Sequence, residues 1–267
     1  MYCTVEDYES FGSQKEHYHH PQNAISTTNS LGRFGNQFIR NIFVHLLAKT
    51  YQLSALYSHA EDMASLGLPM YSGTTTYTYS RKVIDDDVFK MILGKTRPTF
   101  NIELDLYKTF FQSKDHSLYL NSYLHESEQQ RTIRASNPFK DRYGANDEVF
   151  VHLRLGDAEQ WSPGYEYFHK ALSRLSFSKG YLSSDSKDHA NCQRLLKEFP
   201  TLQWNPHEEV IPTIQFASTC KHLVLSHGSF SAIMGHLAFD SDIYYAPYPK
   251  VMWHGDMFSI PGWKKVE

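Results

Sequence analysis

The feature that most constrains this chain is the alternation, through its second half, of short apolar runs with amphipathic stretches. Glu148-Val-Phe-Val-His-Leu-Arg154 is almost continuously apolar, the pattern of a strand buried on both faces. A helical stretch over 165–175 follows, then a strand at 180–184, a helix at 188–199 and a strand at 201–204. The next helix lies within 208–220 and is expected to start near Ile211, placing Pro212 in the first turn, where a missing N–H breaks no bond. A strand at 221–226, a helix at 229–239 and a strand at 242–246 complete the series. Five strands alternating with four helices predict a parallel, doubly wound α/β sheet, because parallel strands need crossover connections and the crossover helices cover both faces.

The first half is less regular. Residues 25–28 read as a strand entering a Gly-rich turn at 32–35, and residues 37–53 carry Ile39, Ile42, Phe43, Leu46 and Leu47 at helical spacing. Shorter strand and helix signals continue to Asp105. Asn137-Pro-Phe-Lys-Asp-Arg-Tyr-Gly-Ala-Asn146 is polar, with Pro and Gly, and is the best boundary. The expectation is two Rossmann-like domains, 1–140 and 141–267, facing a cleft; the length suits two units of roughly 120–130 residues each.

Composition narrows the function classes. A formal net charge of −3 argues against a nucleic-acid binder. The 15% aromatic content suits a protein that packs sugar faces on rings, although aromatics also fill cores. Cys3, Cys192 and Cys220 are too few and scattered for a disulfide framework or a zinc site. There is no apolar run of the roughly 18 residues needed to span a bilayer and no apolar signal core at the N-terminus. A cytoplasmic location is therefore expected, the alternative being a separate anchor. Glu16-His17-Tyr18-His19-His20 could bind a metal but reads better as a polar tail.

In open α/β sheets ligands bind beyond the carboxyl ends of the strands, and the distinctive segments fall there. In Val151-His-Leu-Arg-Leu-Gly-Asp157, Arg154 at the mouth of a buried strand can grip a diphosphate bidentately, with Asp157 orienting it or meeting an acceptor. A plain surface Arg–Asp pair is the equal alternative. In Leu225-Ser-His-Gly-Ser-Phe-Ser231 a strand ends and a helix begins, a natural phosphate seat, or simply a cap made by Ser229 or Ser231. Ser30-Leu-Gly-Arg-Phe-Gly-Asn-Gln37 is neither a Walker loop nor G-x-G-x-x-G. It either projects Arg33 and Asn36 into the cleft or uses its glycines only to turn.

Together these segments resemble the fucosyltransferase superfamily, whose architecture is GT-B. Gly32-Arg-Phe-Gly-Asn-Gln37 is similar to the G-R-[FL]-G-N-Q segment of alpha-1,2-fucosyltransferases and protein O-fucosyltransferases, and His152-Leu-Arg-Leu-Gly-Asp157 to their H-x-R-x-G-D. Ser184-Asp185 falls where they carry S-D-D, and 219–231 is similar to their C-x-x-x-[ILV]-x-S-x-[SGT]-[ST]-F-S. The closing Trp253-His-Gly-Asp-Met-Phe-Ser-Ile-Pro-Gly-Trp263 is similar to the end of small transferases of bacterial and viral type.

The resemblance implies an inverting transferase that needs no metal and no cofactor, its donor substrate a nucleotide sugar, first of all GDP-fucose, and its acceptor a glycan. It implies that Arg154 holds the β-phosphate while His152, and His227 in the last segment, line the same pocket. Ser229, Phe230 and Ser231 would receive the diphosphate through hydroxyl and backbone N–H groups, Arg33 and Asn36 would face the donor sugar and pyrophosphate, and Asp185 would contact the nucleoside or merely steady the loop. Two positions depart from the family pattern: Leu155 stands where many alpha-1,2-fucosyltransferases have a second arginine, and Ser186 ends a Ser-Asp-Ser triplet. Rival readings are a metal-dependent transferase using Asp85-Asp86-Asp87, the same fold with another donor such as UDP-xylose, and a nucleotide- or glycan-binding module without catalysis. Ser-His-Asp hydrolysis finds no G-x-S-x-G elbow.

Overall fold

The computed structural model describes residues 23–29, 31–249, 252 and 254–267; Cys3 and the histidine-bearing segment 16–20 lie outside the described residues. The first half builds a parallel sheet from β1 (Ile25–Ser26), β2 (Ala55–Leu56), β3 (Ser80–Val83) and β4 (Asn101–Leu104), in the order β2-β1-β4-β3. Helices α1 (Phe34–Tyr51), α2 (Ala60–Ser65) and α3 (Asp85–Gly94) connect its strands, and α4 (Lys114–Leu124) and α5 (Ser127–Ser136) lead onward. The expected helix at 37–53 starts three residues earlier, at Phe34, because Arg33 takes an extended N-cap conformation. Gly35 and Asn36 therefore sit in the first turn of α1 rather than in a loop before it.

The second half contains β5 (Val149–Leu153), α6 (Tyr165–Leu172), β6 (Gly180–Ser184), α7 (Ala190–Glu198) and β7 (Leu202–Trp204). It continues through α8 (Val210–Ala217), β8 (His222–Leu225), α9 (Ser229–Leu237), β9 (Asp242–Tyr245) and β10 (Lys264–Lys265). All pairings are parallel, in the order β10-β9-β8-β5-β6-β7. Numbered from β5, this is 3-2-1-4-5-6 read from the β7 edge, the Rossmann order, and its direction reverses between β5 and β8. Every residue of β5 is buried, as a central strand covered by helices requires. Pro212 falls in the first turn of α8 as expected. The strand not expected is β10, an edge strand of two exposed lysines with no apolar alternation to announce it.

The two halves share a core. One apolar cluster contains Ile25, Phe38 and Leu47 from the first half and Phe150, Ile233 and Leu237 from the second. Residues 137–146 are tied down as well: Asn137 Nδ2 donates to the Gln215 carbonyl at 2.9 Å, and the Arg142 guanidinium lies 4.3 Å from the Phe216 ring centre. Cys192 and Cys220 are buried free thiols, with burial pushing Cys220 up to about 12. Among the described residues no helix is long and apolar enough to cross a membrane.

Candidate functional site

A cavity of about 480 Å³ opens at the β5/β8 switch point and is walled by both halves. Two helix N-termini meet there. Neither α1, capped by Arg33, nor α9, capped by Gly228, has a side-chain cap or an acidic residue in its first turn, so no side chain of its own first turn satisfies the leading N–H groups of either helix. Gly35 permits the approach: a Cβ there would stand 2.6 Å from the Phe230 nitrogen and 2.7 Å from Ser229 Oγ. The Ser229 hydroxyl donates across the junction to Asn36 Oδ1 at 2.5 Å.

Four charged side chains form a closed ring on the cavity wall. Arg154 leaves the end of β5 and pairs through Nη2 with Asp157 and through Nη1 with Asp185. Arg33 reaches from the other half to the same two carboxylates, 3.3 Å from each. Asp185 also accepts the Leu155 N–H at 2.9 Å, which fixes the turn after β5. Gly156 makes room for it, since a Cβ there would lie 2.7 Å from Asp185 Oδ2 and its φ of +31° suits glycine. Burial lowers the Arg154 pKa from its ordinary value, with the Arg33 cation second, while Asp157 opposes the shift. Asp157 is the looser of the two carboxylates, its side chain 63% exposed against 24% for Asp185.

Nine of the ten sequence-selected residues line this cavity: Arg33, Asn36, His152, Arg154, Asp157, Asp185, His227, Ser229 and Phe230. Ser231 does not. It is fully buried, and its Oγ shares a 2.6 Å hydrogen bond with His152 Nδ1. The Ser231 hydroxyl thus pins α9 to β5 and does not face the cavity. Burial first, and Arg154 second, hold the His152 pKa at about 3, so the imidazole is neutral. His227 is likewise held at about 4 by burial, with His254 adding to the shift. The Asp185 carboxylate lines the cavity and is engaged by the Leu155 N–H, Arg154 and Arg33, which steadies the turn after β5. Leu155 is buried in an apolar cluster.

Sequence reasoning missed several wall residues. Ser183, Val210 and Thr213 extend the cavity over β6 toward α8. Trp161 and His227 line both this cavity and a second one of about 550 Å³ that reaches over the β9 and β10 side. Gln112 donates through Nε2 to Asn36 Oδ1 at 2.7 Å and belongs to no motif. Asp85, weighed above as a metal ligand, occupies the first turn of α3. Its carboxylate accepts the backbone N–H groups of Asp86 at 2.9 Å and Phe111 at 3.0 Å. Neither Asp85 nor Asp87 lines the cavity at the β5/β8 switch point.

No family model matches the sequence, and no curated protein does. Among solved structures, one of POFUT1 in complex with GDP-fucose is 12% identical, with a TM-score of 0.48, covering 84% of this chain and 98% of that one. A second crystal form of the same complex is 12% identical, with a TM-score of 0.45, covering 83% and 97%.

Proposed function

We propose that this chain is an inverting glycosyltransferase that draws a sugar from a nucleotide diphosphate donor, GDP-fucose first among the candidates, and passes it to a glycan acceptor without a metal. The observation that carries the reading is the convergence of two helix N-termini and two arginines on one cavity at a Rossmann switch point. Such an array suits a ligand with concentrated negative charge, and a departing diphosphate gains more of it as the glycosidic bond breaks.

In this scheme an acceptor oxygen attacks the anomeric carbon opposite the diphosphate. The bond from that carbon to the β-phosphate oxygen breaks, its electron pair stays on the diphosphate, and the acceptor's proton passes to water. Arg154 and the α9 N–H groups take up the developing charge. Asp157, exposed and held only by arginines, is displaced by the incoming phosphates, whereas Asp185 stays tied to the Leu155 N–H. The nucleoside lies toward Ser183, Ser184 and Thr213 of the second half, and the acceptor meets the donor from the first half, beside the 32–37 segment. The domain division at residue 140 then separates an acceptor-side unit from a donor-binding unit. A second reading, with a different base and sugar such as UDP-xylose, draws support from Leu155, whose buried side chain stands where the family pattern has a second cation.

Melting temperature measured with equal concentrations of GDP and UDP, in EDTA, tests both readings. Ligand at about a hundred times its Kd stabilises by roughly 2.7 kcal/mol, enough to rank the two. GDP is expected to raise the transition further. A clear UDP preference would transfer the assignment to the second reading, and no response to any nucleoside diphosphate would remove both.

A further inference from the structure

Between β4 and α4 the chain makes a turn that its own sequence disfavours. Phe111 has a φ of +53°, a left-handed conformation rarely taken by a bulky aromatic. The turn is held from several sides. Arg40 donates through Nε to the Thr109 carbonyl at 2.7 Å and lies 5.0 Å over the Phe110 ring, Asp85 accepts the Phe111 N–H, and the Phe111 ring stacks on Phe43 at 4.4 Å. Arg40 is 1% exposed, and its Nη2 has no hydrogen-bond partner among the described residues. A buried cation with an unpaired nitrogen and a strained aromatic are both destabilising, so stability alone does not account for this arrangement.

What the turn delivers is Gln112. Its backbone carbonyl accepts the Gly255 N–H at 2.8 Å, and its Nε2 reaches Asn36 Oδ1 at 2.7 Å, where the Ser229 hydroxyl also donates. Two protein donors, one from each half, thus occupy the oxygen of the Asn36 carboxamide. Its NH2 end lies beside Gly32 on the cavity wall. A carboxamide has one accepting and one donating end, and reversing it would turn oxygen lone pairs toward whatever the cavity holds. We infer that Gln112 is a positioning residue that locks Asn36 with its donor end toward the ligand, and that the Arg40–Asp85 clamp on 109–111 serves this placement. That the ligand is a nucleotide sugar rests on the function proposed above; the orientation of Asn36 does not.

The experiment uses Gln112→Glu, Gln112→Leu, Asn36→Ala and the two combinations with Asn36→Ala. GDP binding is measured by calorimetry, and turnover as hydrolysis of GDP-fucose with water as acceptor. Gln112→Glu sets an acceptor against Asn36 Oδ1 and should lower turnover roughly 10- to 100-fold, with Gln112→Leu falling between it and wild type. In the Asn36→Ala background the same changes should cost less than roughly twofold, because the positioned group is gone. Full additivity would make Gln112 a packing residue and overturn the inference. Asn36 side-chain amide resonances, identified by their loss in Asn36→Ala, should shift in ligand-free Gln112→Leu. Unmoved resonances also overturn it, even if Gln112→Glu does not fold. Absence of GDP binding in the wild-type protein, with the resonance shift present, would instead count against the proposed donor and leave the positioning role standing.

Discussion

Replacing Arg154 with lysine or alanine separates its charge from its geometry. The side chain is 18% exposed, and its two terminal nitrogens are committed to different carboxylates. When it is removed, Asp185 keeps the Leu155 N–H and the Arg33 contact at 3.3 Å, and Asp157 keeps Arg33 and solvent. No carboxylate is stranded, so the folding loss should stay near 1 kcal/mol, about 2–4 °C in melting temperature. The effect on transfer is larger. A guanidinium that holds Asp185 through one nitrogen and a phosphate through the other, in a partly dry cavity, makes a contact that strengthens as charge moves onto the leaving group and is worth roughly 10²–10³ in turnover, or about 3–4 kcal/mol. Lysine supplies one compact ammonium that cannot face Asp185 and a phosphate together, so Arg154→Lys should be nearly as harmful as Arg154→Ala. The assay is steady-state hydrolysis of GDP-fucose beside a thermal melt of each variant, with kcat and kcat/KM expected to fall together. Near-normal turnover in a folded Arg154→Ala protein would refute the role given to this residue, and the ring of charges would then be structural.

Two further outcomes are expected. Gly35→Ala should destabilise by about 1–3 kcal/mol and weaken GDP binding, because its methyl would meet the Phe230 backbone at 2.6 Å and push the two helix N-termini apart. The sign is informative, since alanine for glycine within a helix usually stabilises, and a more stable variant by chemical denaturation would disprove the close approach. Acid should unfold the protein early. Burial holds His152 and His236 at about 3 and His45 and His227 at about 4, so between those values and the ordinary 6.5 the unfolded chain binds more protons than the native one. Stability is complete above about pH 6.5 and falls as pH drops through that window; a melting temperature unchanged from pH 7 to pH 5 would mean that these imidazoles are solvated.

The second half was legible because its physics is local. A strand covered on both faces must be apolar throughout, and β5 is; helices that cross a parallel sheet must alternate with strands, and α6 to α9 do. The first half hid its plan because β1 and β2 are two residues each and β3 exposes three of its four side chains, too little for any periodicity. At β10 the two residues are lysines, and what makes them a strand is hydrogen bonding to β9, a tertiary fact.

The cavity wall divides the same way. Arg33, Asn36, Arg154 and Ser229 were visible because glycine turns and strand ends mark where a backbone stops and a ligand can begin. Which way each side chain points was not visible, because it depends on partners far along the chain. Ser231 is drawn inward by His152, 79 residues before it, and Asp185 is taken by Arg33, 152 residues before it. Gln112 reaches Asn36 across 76 residues, and Ser229 reaches the same oxygen across 193. A carboxamide is indifferent to end-over-end rotation until something chooses an end; here Gln112 and Ser229 both donate to the oxygen, and Ser229 reaches it because Gly35 lets α1 and α9 touch. The glycine in the motif therefore shares in setting how the asparagine is held. It brings Ser229 within reach of Oδ1, and the segment pinned at Phe111 brings Gln112 to the same atom, so the donor end of Asn36 is set by the closure of the fold rather than by the motif that contains it.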